Sequence, residues 1–494
     1  MSFVGWMMVI LSGVGGGVGM SVGTGSSSGD GLGLLRARSV AFAEGRPSLA
    51  GKKPKNVVGC HDLVVVGAGI AGTSVALFAK RLNPAASVLL LDADSIAAGA
   101  SSHSAGTVWL PQSLKRRNSS QSRLIVDRED DGTSASENNL SEGDVSPHWD
   151  EVLSSATVDA YAELEAAGYD CELERSGALL VADSPEQALY VAAMFLDLAA
   201  RGYDCKRDRE DDSRSRLELL EDPESLLKVE SRLRVFRPGA ETNNNGVYSA
   251  LHLPASVHVD TNKATLAFGE AAMDAGVEFR PDSKVVKIDK GTTSWNLTLE
   301  DGTSISTSRI VLACGATVSR LLPEAKVVVP VKGQIVQSSI ALPDGWLKKI
   351  IFSASAHTDF ASGKARSLDV EARIPPECTH DVNGRAMTRH LYGRQRRDGH
   401  VIMGGGRIPR PSYETHGLDY QVDEAVLRGV VQHCREVIRD EDDELAMGQE
   451  EIRSNSWACF MPFSMDGRPL YGPVDDRPGL FLALGLGPEG MVSH

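Results

Sequence analysis

An α/β fold is predicted by three features of this 494-residue chain. A short apolar strand, Leu63 to Val66, enters a glycine turn that is followed by a helix from Ile70 to about Leu82. A second apolar strand, Val88 to Leu91, follows that helix and ends on an acidic residue. From 327 to 454 strand patterns predominate, and they favour an antiparallel sheet. We therefore expect a Rossmann-type domain joined to an α+β domain.

The glycine turn has the register G-x-G-x-x-G at Gly67, Gly69 and Gly72. In a strand–turn–helix context the first glycine allows the tight turn and the second lets the backbone approach a pyrophosphate. The third lets helix and strand pack closely, and the helix N-terminus offers N–H groups and a positive dipole end to phosphates. The motif predicts dinucleotide binding, with an ordinary glycine turn as the alternative. The predicted contacts are Gly67, Ala68, Gly69, Ile70, Ala71 and Gly72.

The acidic residue at the end of the second strand is Asp92, which lies 20 residues beyond Gly72. A carboxylate at this distance is placed to bind a ribose hydroxyl. Asp92 and the adjacent Ala93 are therefore predicted to contact the nucleotide. The acid also distinguishes the pattern from a bare glycine motif, which is a weak signal alone.

The run from Gly99 to Gly106, GASSHSAG, consists mostly of small residues that would let the backbone lie against a flat ring system. It resembles the second flavin motif of the D-amino-acid-oxidase-like family of FAD-dependent oxidoreductases, which includes glycine oxidase, sarcosine oxidase and dimethylglycine dehydrogenase. The resemblance implies FAD as cofactor and contacts from Gly99, Ser101, Ser102, His103, Ser104, Ala105 and Gly106. An NAD-dependent dehydrogenase is the alternative, but it requires the later motifs to be coincidental.

Composition limits the possible functions. The formal net charge is −15, and the chain has no long basic stripe, which argues against nucleic-acid binding. Hydrophobic residues make up 42%, an ordinary value for a globular protein. The seven cysteines include no C-x-x-C pair and no metal-like spacing with histidine, so neither a disulfide framework nor a metal site is predicted.

Residues 1–57 are predicted to be a targeting or disordered leader outside the fold. Phe3 to Leu11 is apolar but too short to span a bilayer, so no transmembrane segment is expected. The leader is rich in serine and poor in acids, as organellar presequences are. A mitochondrion or plastid is the expected location. A cytoplasmic protein with a misassigned start and a secreted protein are the alternatives.

Between the leader and the second nucleotide-binding segment, the elements alternate with charged stretches. Residues 115–147 lack apolar periodicity and predict a disordered insertion. A helix from Glu151 to Ala167 and a strand from Ala178 to Ala182 follow. Ser184 is expected to cap a helix that runs to about Ala200, and Lys206 to Glu221 predicts a charged surface excursion.

The next segment, 246–326, predicts a return to the nucleotide-binding domain. Thr261 is expected to cap a helix that extends from Lys263 to Asp274. Several strands follow, and the last of them leads into Cys314 and Gly315. This order resembles the same family, in which a strand near Val286 lies by the adenine and the turn at Cys314 and Gly315 closes the nucleotide site.

Two later stretches extend the resemblance over most of residues 60–494. Tyr392 to Gly399 with Val401 to Gly405 resembles the family hairpin "Y-x-x-P-R-x-D-G…V-G-G", and Trp457 to Pro473 resembles its C-terminal return motif. The final loop implies flavin contacts from Gly485, Gly487, Gly490 and Met491. In the family a helix follows this loop, but here the sequence stops at His494. We therefore expect either a truncated sequence or weakened flavin binding.

Two residues match positions at which relatives attach flavin covalently. His103 matches the histidine of dimethylglycine and sarcosine dehydrogenases, whereas Cys459, seven residues before Asp466, matches the cysteine of monomeric sarcosine oxidase. Both cannot bond to the single flavin 8α position. Noncovalent contact is the alternative for each.

The substrate residues are predicted from the hairpin. Relatives bind the substrate carboxylate with an arginine two residues beyond the Cys459 position, where this chain has Met461. Arg396 is the first replacement and Arg394 the second, with surface charge as the alternative for both. Tyr392 is expected to hydrogen-bond the substrate.

The resemblance implies a two-domain FAD-dependent enzyme that oxidises the C–N bond of a small amine or amino acid, with oxygen or an electron-transfer partner as acceptor. A catalytically reduced flavoprotein of the same fold, used in assembly or trafficking, is the alternative. The predicted segments are 58–114, 246–326 and 455–494 for the FAD-binding domain and 148–245 and 327–454 for the substrate domain.

Overall fold

A computed structural model of the chain describes residues 60–109, 149–201, 203, 205–206, 216–237, 246–322, 328–354, 379–382, 385–388, 391–409, 419–440, 443–464 and 469–486. The predicted leader, 1–57, and the predicted insertion, 115–147, lie outside these ranges. Gly487, Gly490 and Met491 of the predicted final flavin loop also lie outside them.

The described residues contain seven α-helices and two 3₁₀ helices. The α-helices are α1 (Ile70–Leu82), α2 (Trp149–Ala166), α3 (Pro185–Ala200), α4 (Pro223–Val229), α5 (Thr261–Asp274), α6 (Glu424–Val437) and α7 (Gln449–Ser454). The 3₁₀ helices are Ala100–His103 and Gly315–Arg320. Among these described helices, none is both long enough and apolar enough to cross a bilayer.

Twenty-three strands are described. The first twelve are β1 (Cys60–His61), β2 (Leu63–Val66), β3 (Val88–Leu91), β4 (Thr107–Val108), β5 (Ala178–Ala182), β6 (Cys205–Lys206), β7 (Leu217–Leu220), β8 (Ser249–Leu253), β9 (Val257–His258), β10 (Glu278–Arg280), β11 (Val285–Lys290) and β12 (Trp295–Leu299). The others are β13 (Ser304–Thr307), β14 (Ile310–Leu312), β15 (Val328–Gln337), β16 (Ile350–Ser353), β17 (Thr379–Val382), β18 (Arg385–Thr388), β19 (Leu391–Gln395), β20 (Val401–Pro409), β21 (Ser456–Ser464), β22 (Leu470–Pro473) and β23 (Leu480–Leu484).

A six-stranded sheet has the order β10-β3-β2-β14-β23-β22. Its first five strands are parallel, and β22 is antiparallel to β23. Strands β2 and β3 are buried at every position, as their unbroken apolar sequences predict for a sheet covered on both faces. The fold class is thereby confirmed: β2, α1 and β3 form the expected Rossmann-type unit.

Each face of this sheet has its own cover. On one face α1 and α5 pack together, with the rings of Phe78 and Phe268 6.4 Å apart and the ring of Tyr161 5.9 Å from that of Phe268. On the other face lies the four-stranded sheet β1-β13-β12-β11. The carboxyl ends of β2, β3 and β14 meet at one edge, and the chain leaves them through Gly67, Asp92 and Ala313.

A nine-stranded sheet has the order β21-β15-β20-β19-β16-β5-β8-β7-β6. It is antiparallel except for the pairs β16–β5 and β6–β7. Helix α6 covers one stretch of one face through Leu427, Val430 and Cys434, which lie in a shared apolar core with β19 and β20. The face of β19 and β20 that is opposite to α6 belongs to the site described below.

Two sequence expectations were wrong. The predicted surface excursion from Lys206 to Glu221 contains β7, whose three leucines are buried because they pack between α3 and the core of the large sheet. Thr261 does not cap α5: the side chain of Asp260 accepts the hydrogen bond from Lys263 N at 2.9 Å. The Thr261 hydroxyl instead donates to the carbonyl oxygen of Ser104 at 3.3 Å.

The packing of helix α1 against the glycine turn predicts that one added methyl group at Gly72 destabilises the protein. A Cβ there would lie 1.7 Å from the backbone oxygen of Gly67, so Gly72→Ala should displace α1 and cost about 3 kcal/mol or more. Gly269→Ala in α5 is the matched control, since its Cβ would meet the flexible side chain of Ile96, nearest at its terminal methyl, rather than backbone. We expect a large drop in thermal midpoint for the first variant and a change within about 1 kcal/mol for the second. Equal midpoints would contradict this packing.

Candidate cofactor and substrate site

The turn between β2 and α1 has a packing reason for each of its glycines. Gly67 has φ of +106°, and a Cβ there would lie 2.6 Å from the carbonyl oxygen of Ala313. Gly72 lies directly against the carbonyl of Gly67, as stated above. A Cβ on Gly69 would lie 2.9 Å from Ser101 Oγ. The turn therefore exposes backbone rather than side chains at the edge of the sheet.

The N-terminus of α1 faces the same edge. Ile70 N donates a hydrogen bond to Ser101 Oγ at 3.0 Å, and Thr73 N closes the first helical turn on the carbonyl of Gly69 at 3.0 Å. N–H groups at a helix start and the positive end of the helix dipole stabilise an anion. This edge therefore offers what a phosphate needs, with the Ser101 hydroxyl beside it.

Asp92 lies next to this turn. Its Oδ2 accepts a hydrogen bond from Ala68 N at 2.6 Å, and its Oδ1 accepts one from Asp94 N at 2.9 Å. Burial raises the pKa of Asp92, whereas the backbone N–H groups of Ala68 and Asp94 lower it. Ala93, the next residue, is exposed. The carboxylate is thus held against the turn, where the sequence predicts a ribose contact.

The turn after β14 lies against the glycine turn. A Cβ on Gly67 would lie 2.9 Å from the Cα of Cys314, and Thr317 Oγ1 donates to the carbonyl of Cys314 at 2.7 Å. Gly315 follows with φ of +55°. Val286 lies in β11 beside a register shift and is 44% exposed. Cys314 lies close enough to Asp92 for the carboxylate charge to raise the pKa of its thiol, in addition to burial, which is the larger cause.

The loop from Gly99 to Gly106 connects this edge to the large sheet. The indole N–H of Trp457 donates to the carbonyl of His103 at 3.0 Å. His103 Nδ1 lies 3.0 Å from the carbonyl of Gly99 and 2.9 Å from the hydroxyl of Ser102. A Cβ on Gly106 would lie 2.1 Å from the carbonyl of Val259, so only glycine fits there. The loop is therefore held to the rest of the protein at His103 and at Gly106.

The large sheet presents an apolar face to this loop. Ala105, Ile335 and Ile402 are buried together, with the rings of Tyr392 and Trp457 packed against them. A Cβ on Gly404 would lie 2.3 Å from Tyr392 Cζ, so the phenol ring covers that glycine. Burial raises the pKa of Tyr392. The phenol therefore stays protonated and can donate a hydrogen bond.

Cys459 lies two residues from Trp457 on β21, opposite Gly333 of β15. The residue is 8% exposed, and burial raises the pKa of its thiol to about 11. The thiolate is the nucleophilic form of cysteine, so this environment disfavours covalent attachment at Cys459. His103 is partly exposed, with its Nδ1 engaged as described above.

The two predicted substrate arginines hold backbone and side chains of the protein. Arg394 is 4% exposed; its Nε donates to the carbonyl of Ala105 at 2.5 Å and its Nη2 donates to the carbonyl of Val259 at 2.9 Å. Arg396 donates to Asp260 Oδ2 at 3.1 Å and to Gln337 Oε1 at 3.3 Å. Arg394 thus positions the loop, and Arg396 fixes the hairpin to the N-cap of α5.

The start of the last predicted loop packs on the end of β21. Gly485 has φ of +70°, and its Cβ would lie 3.1 Å from the Cβ of Ser464. Leu486 pairs with Phe463 through an isolated bridge. This arrangement brings the chain after β23 to the same end of the large sheet.

Sequence reasoning did not single out Arg407, whose charge acts on two residues of this face. It lies on β20 with its guanidinium carbon 5.8 Å from the ring centroid of Phe463. Its charge lowers the pKa of both Tyr392 and Cys459, against the larger effect of burial. The signal was the Gly404-Gly405-Gly406 run, because glycines inside a strand indicate a bulge that changes which side chains share a face.

The residues present fit FAD. The cradle at Gly67, Gly69 and Gly72 admits a close approach of a dinucleotide to the backbone, since side chains at these positions would fill it. The loop ending at Gly106 and the apolar face behind it provide the surface that a flat ring system requires.

Arg394 should control how firmly the loop is held. Arg394→Met removes both hydrogen bonds and leaves the carbonyls of Ala105 and Val259 without these donors, a loss of about 1–3 kcal/mol for each buried group. We expect FAD affinity to fall at least about tenfold, measured by fluorescence titration of the apoprotein. Arg397→Met is the control: that side chain is half-exposed and bonds Glu174 at the surface. Unchanged affinity in the Arg394 variant would contradict a role in holding the loop.

Comparison with known proteins identifies the family. The family model described as FAD dependent oxidoreductase, DAO, matches residues 62–494. Among solved structures, glycine oxidase from Geobacillus kaustophilus has a TM-score of 0.60 at 21% identity over 88% of this chain and 91% of that one. L-proline dehydrogenase from P. horikoshii has a TM-score of 0.59 at 16% identity over 88% and 91% of the two chains.

A third structure contains the cofactor. L-α-glycerophosphate oxidase from Mycoplasma pneumoniae, dithionite-reduced and with FAD bound, has a TM-score of 0.60 at 14% identity over 88% of this chain and 92% of that one. No curated protein matches the sequence. At these identities the structures show a shared fold, whereas the family model covers most of the chain. The chain therefore belongs to the DAO family of FAD-dependent oxidoreductases, and FAD is its cofactor.

Proposed function

We propose that this protein oxidises the C–N bond of a small amine or amino acid. The observation that carries the proposal is the buried face of the large sheet, which places the Tyr392 phenol among apolar side chains opposite the loop that ends at Gly106. Solved structures with the same fold include enzymes described as glycine oxidase, L-proline dehydrogenase and iminodiacetate oxidase. Their described substrates all carry a nitrogen on the carbon that such chemistry would oxidise.

The chain would hold the cofactor by its nucleotide end. The turn from Gly67 to Gly72, the N-terminus of α1 and the Ser101 hydroxyl would receive the pyrophosphate, and Asp92 the ribose. When bound, FAD supplies the acceptor for a hydride from the carbon that bears the nitrogen. The substrate nitrogen loses a proton, and water hydrolyses the resulting imine to a carbonyl compound and an amine or ammonia.

Tyr392 has a positioning role in this reaction. Its ring is fixed over Gly404, and its hydroxyl stays protonated because burial raises its pKa. A protonated phenol can donate a hydrogen bond to an anionic or carbonyl oxygen of the substrate. The surrounding side chains of Ile335, Ile402 and Trp457 exclude water from this region. Exclusion of water strengthens that hydrogen bond and protects the reacting carbon from solvent.

The electrons would pass to oxygen or to an electron-transfer acceptor. Reoxidation of the reduced protein by air, followed by stopped-flow absorbance, separates an oxidase from a dehydrogenase. The proposed location is an organelle, on the basis of the serine-rich, acid-poor leader, with a cytoplasmic location as the alternative.

One observation favours the second candidate, a flavoprotein with reduced catalysis. Met461, which occupies the position of the substrate arginine in relatives, lies over Gly333: a Cβ on that glycine would be 2.7 Å from Met461 Cε. A thioether provides no charge for a substrate anion. The two candidates differ in whether a substrate can reduce the bound flavin.

The test is anaerobic reduction of the FAD-loaded full chain by a panel of amines and amino acids. We expect the visible absorbance of the oxidised flavin to bleach with at least one compound that carries nitrogen on an oxidisable carbon. Glycerol phosphate and hydroxy acids serve as comparison compounds. FAD binding without bleaching by any amine would support the second candidate instead.

Tyr392→Phe should keep the ring packing and remove only the hydroxyl. We expect kcat/KM for the substrate that the panel identifies to fall about 10- to 100-fold, because a hydrogen bond to a charged group contributes about 1.5–3 kcal/mol. Tyr190→Phe on α3 is the control, since that residue packs in a different core, which α3 forms with β5, β7 and β8. Equal kcat/KM for the Tyr392 variant and the unmodified protein would show that the Tyr392 hydroxyl does not hydrogen-bond the substrate.

A further inference from the structure

We propose that the outer face of helix α3 is the contact surface for a second copy of this chain, which presents the same helix in the antiparallel direction. The surface consists of four apolar residues, here called the outer stripe: Leu189, Ala193, Leu196 and Ala200. The proposal goes beyond the proposed function, because the outer stripe contains no residue assigned to the cofactor or to the substrate.

Helix α3 is apolar on two opposite faces. Its inner face buries Val191, Phe195 and Leu198 in the core that α3 forms with β5, β7 and β8. A helix on the surface of a globular protein normally carries charged and polar side chains on the opposite face. In α3, however, no charged residue occurs from 187 to 196. The inner core therefore accounts for only half of the apolar residues of this helix.

The outer stripe is exposed along its whole length. Leu189 is 74% exposed and Leu196 is 55% exposed, and Ala193 and Ala200 are also exposed. The four residues are separated by four, three and four positions, so they are neighbours on one side of the helix. Two packed helices meet through apolar residues at this spacing. Single exposed apolar residues are common, whereas a continuous stripe indicates an interaction surface.

The outer stripe is complementary to itself. In an antiparallel pair with a two-fold axis beside Ala193, Leu189 lies about 6 Å and Leu196 about 4.5 Å along the helix from the axis, in opposite directions. Leu189 of one copy would therefore meet Leu196 of the other, and the same contact would occur twice. Ala193 would face Ala193 of the second copy, and a side chain this small lets the two helices approach closely.

The charges at the ends of α3 favour the antiparallel direction. Glu186 and Arg201 lie seven and eight residues from Ala193, on opposite sides, so each carboxylate would meet the guanidinium of the other copy. Arg201 Nη2 lies 2.6 Å from Asp197 Oδ2 of its own helix, and a guanidinium has further N–H groups for a second carboxylate. A parallel pair would instead place like charges together at both ends.

A membrane surface is a less suitable partner for this helix. Helices that lie in a bilayer interface carry lysine and arginine on their polar face, which attract anionic lipids. The charged residues within α3 are Glu186 and Asp197, both acidic, and the net charge of the chain is −15. An apolar stripe on an acidic helix therefore favours a protein partner whose own end supplies the positive charge.

The contact surface lies beside the substrate site and not in it. Phe352 of β16 pairs with Tyr392 of β19 and also packs against the core under α3. Trp109, which follows the loop that ends at Gly106, packs against the same core. The inner face of α3 is thus next to the site, whereas the outer stripe points away from the sheet.

The experiment is sedimentation equilibrium of the FAD-loaded full chain from about 1 to about 100 µM. We expect a reversible monomer–dimer equilibrium with Kd on the order of 10 µM, because one pair of 16-residue helices buries less area than a standard interface. In Ala193→Arg two guanidinium groups would face each other at the axis, and Kd should rise at least about 100-fold.

Met273→Arg is the matched control. It adds the same charge at a 40% exposed position of another helix, α5, and should leave Kd unchanged. Because Ala193 and Met273 are both exposed, the two variants should keep the flavin spectrum and the thermal midpoint of the unmodified monomer.

Reversal of the end charges tests the direction of the pair. Glu186→Arg places two like charges at each end of an antiparallel pair, so Kd should rise about tenfold. Adding Arg201→Glu to that variant restores opposite charges at both ends and should bring Kd back towards the original value. A double variant that dimerises no better than the single variant would contradict the antiparallel arrangement.

Two other results would overturn the proposal. One is a chain that stays monomeric at every concentration, or a dimer that Ala193→Arg does not weaken. The other is a monomeric chain that binds phosphatidylcholine vesicles in a flotation assay and loses that binding in Ala193→Arg, which would assign the outer stripe to a lipid surface. None of these measurements requires a substrate, so a failure of amine oxidation is distinguishable from a failure of dimerisation.

Discussion

A buried guanidinium joins the two parts of this molecule. Arg394 comes from the large sheet, yet both of its described hydrogen bonds end on backbone carbonyls of segments that lead into the nucleotide-binding unit, at Ala105 and Val259. Burial lowers its pKa to about 10, so the group remains charged at neutral pH despite its surroundings. Removing a charge from water is costly, and only well-aligned acceptors offset that cost. The relative position of the loop and the sheet face, and therefore the width of the site, depends on this contact. His258 beside it stays neutral, because burial and the charges of Arg394 and Arg397 lower its pKa to about 2.

The same constraint explains why the site face is apolar. Arg394 and Arg396 bond the carbonyls and Asp260, and the side chains packed around Ala105 on this face are Ile335, Ile402 and the rings of Tyr392 and Trp457. Gly333 and Gly404 have no side chains, so the Met461 side chain packs over the first and the Tyr392 ring over the second. A flat cofactor needs such a surface, and a polar substrate needs one or two charged or donating groups at its border. The large sheet supplies the first through the alternation of its side chains.

The sequence predicted the regular parts of the fold closely. Strands β2 and β3, helix α1 and the Ser184 cap of α3 follow from short-range patterns: apolar runs, a glycine turn and a capping serine. The predictions failed where distant contacts decide the outcome. Leu217 to Leu220 is buried only because α3 and the large sheet cover it, and nothing in the neighbouring charged residues indicates that. For the site, the residues near Gly67 and Asp92 come from one contiguous motif and could be found from sequence. Arg407 could not, because its face depends on a shift in register between two strands.

Register also bears on how far a family motif can be transferred. A motif assigns roles by position along one strand, and on that basis Met461 indicates that the substrate arginine is missing. A sheet, however, presents side chains from neighbouring strands on one face, and the bulge in β20 brings Arg407 to the face on which Met461 lies. Gly333, which separates the two strands at this level, is covered by Met461, since a Cβ on that glycine would lie 2.7 Å from Met461 Cε. The missing arginine at Met461 therefore describes β21 alone. The chemistry of the site depends on the side chains that all strands of the sheet contribute to that face.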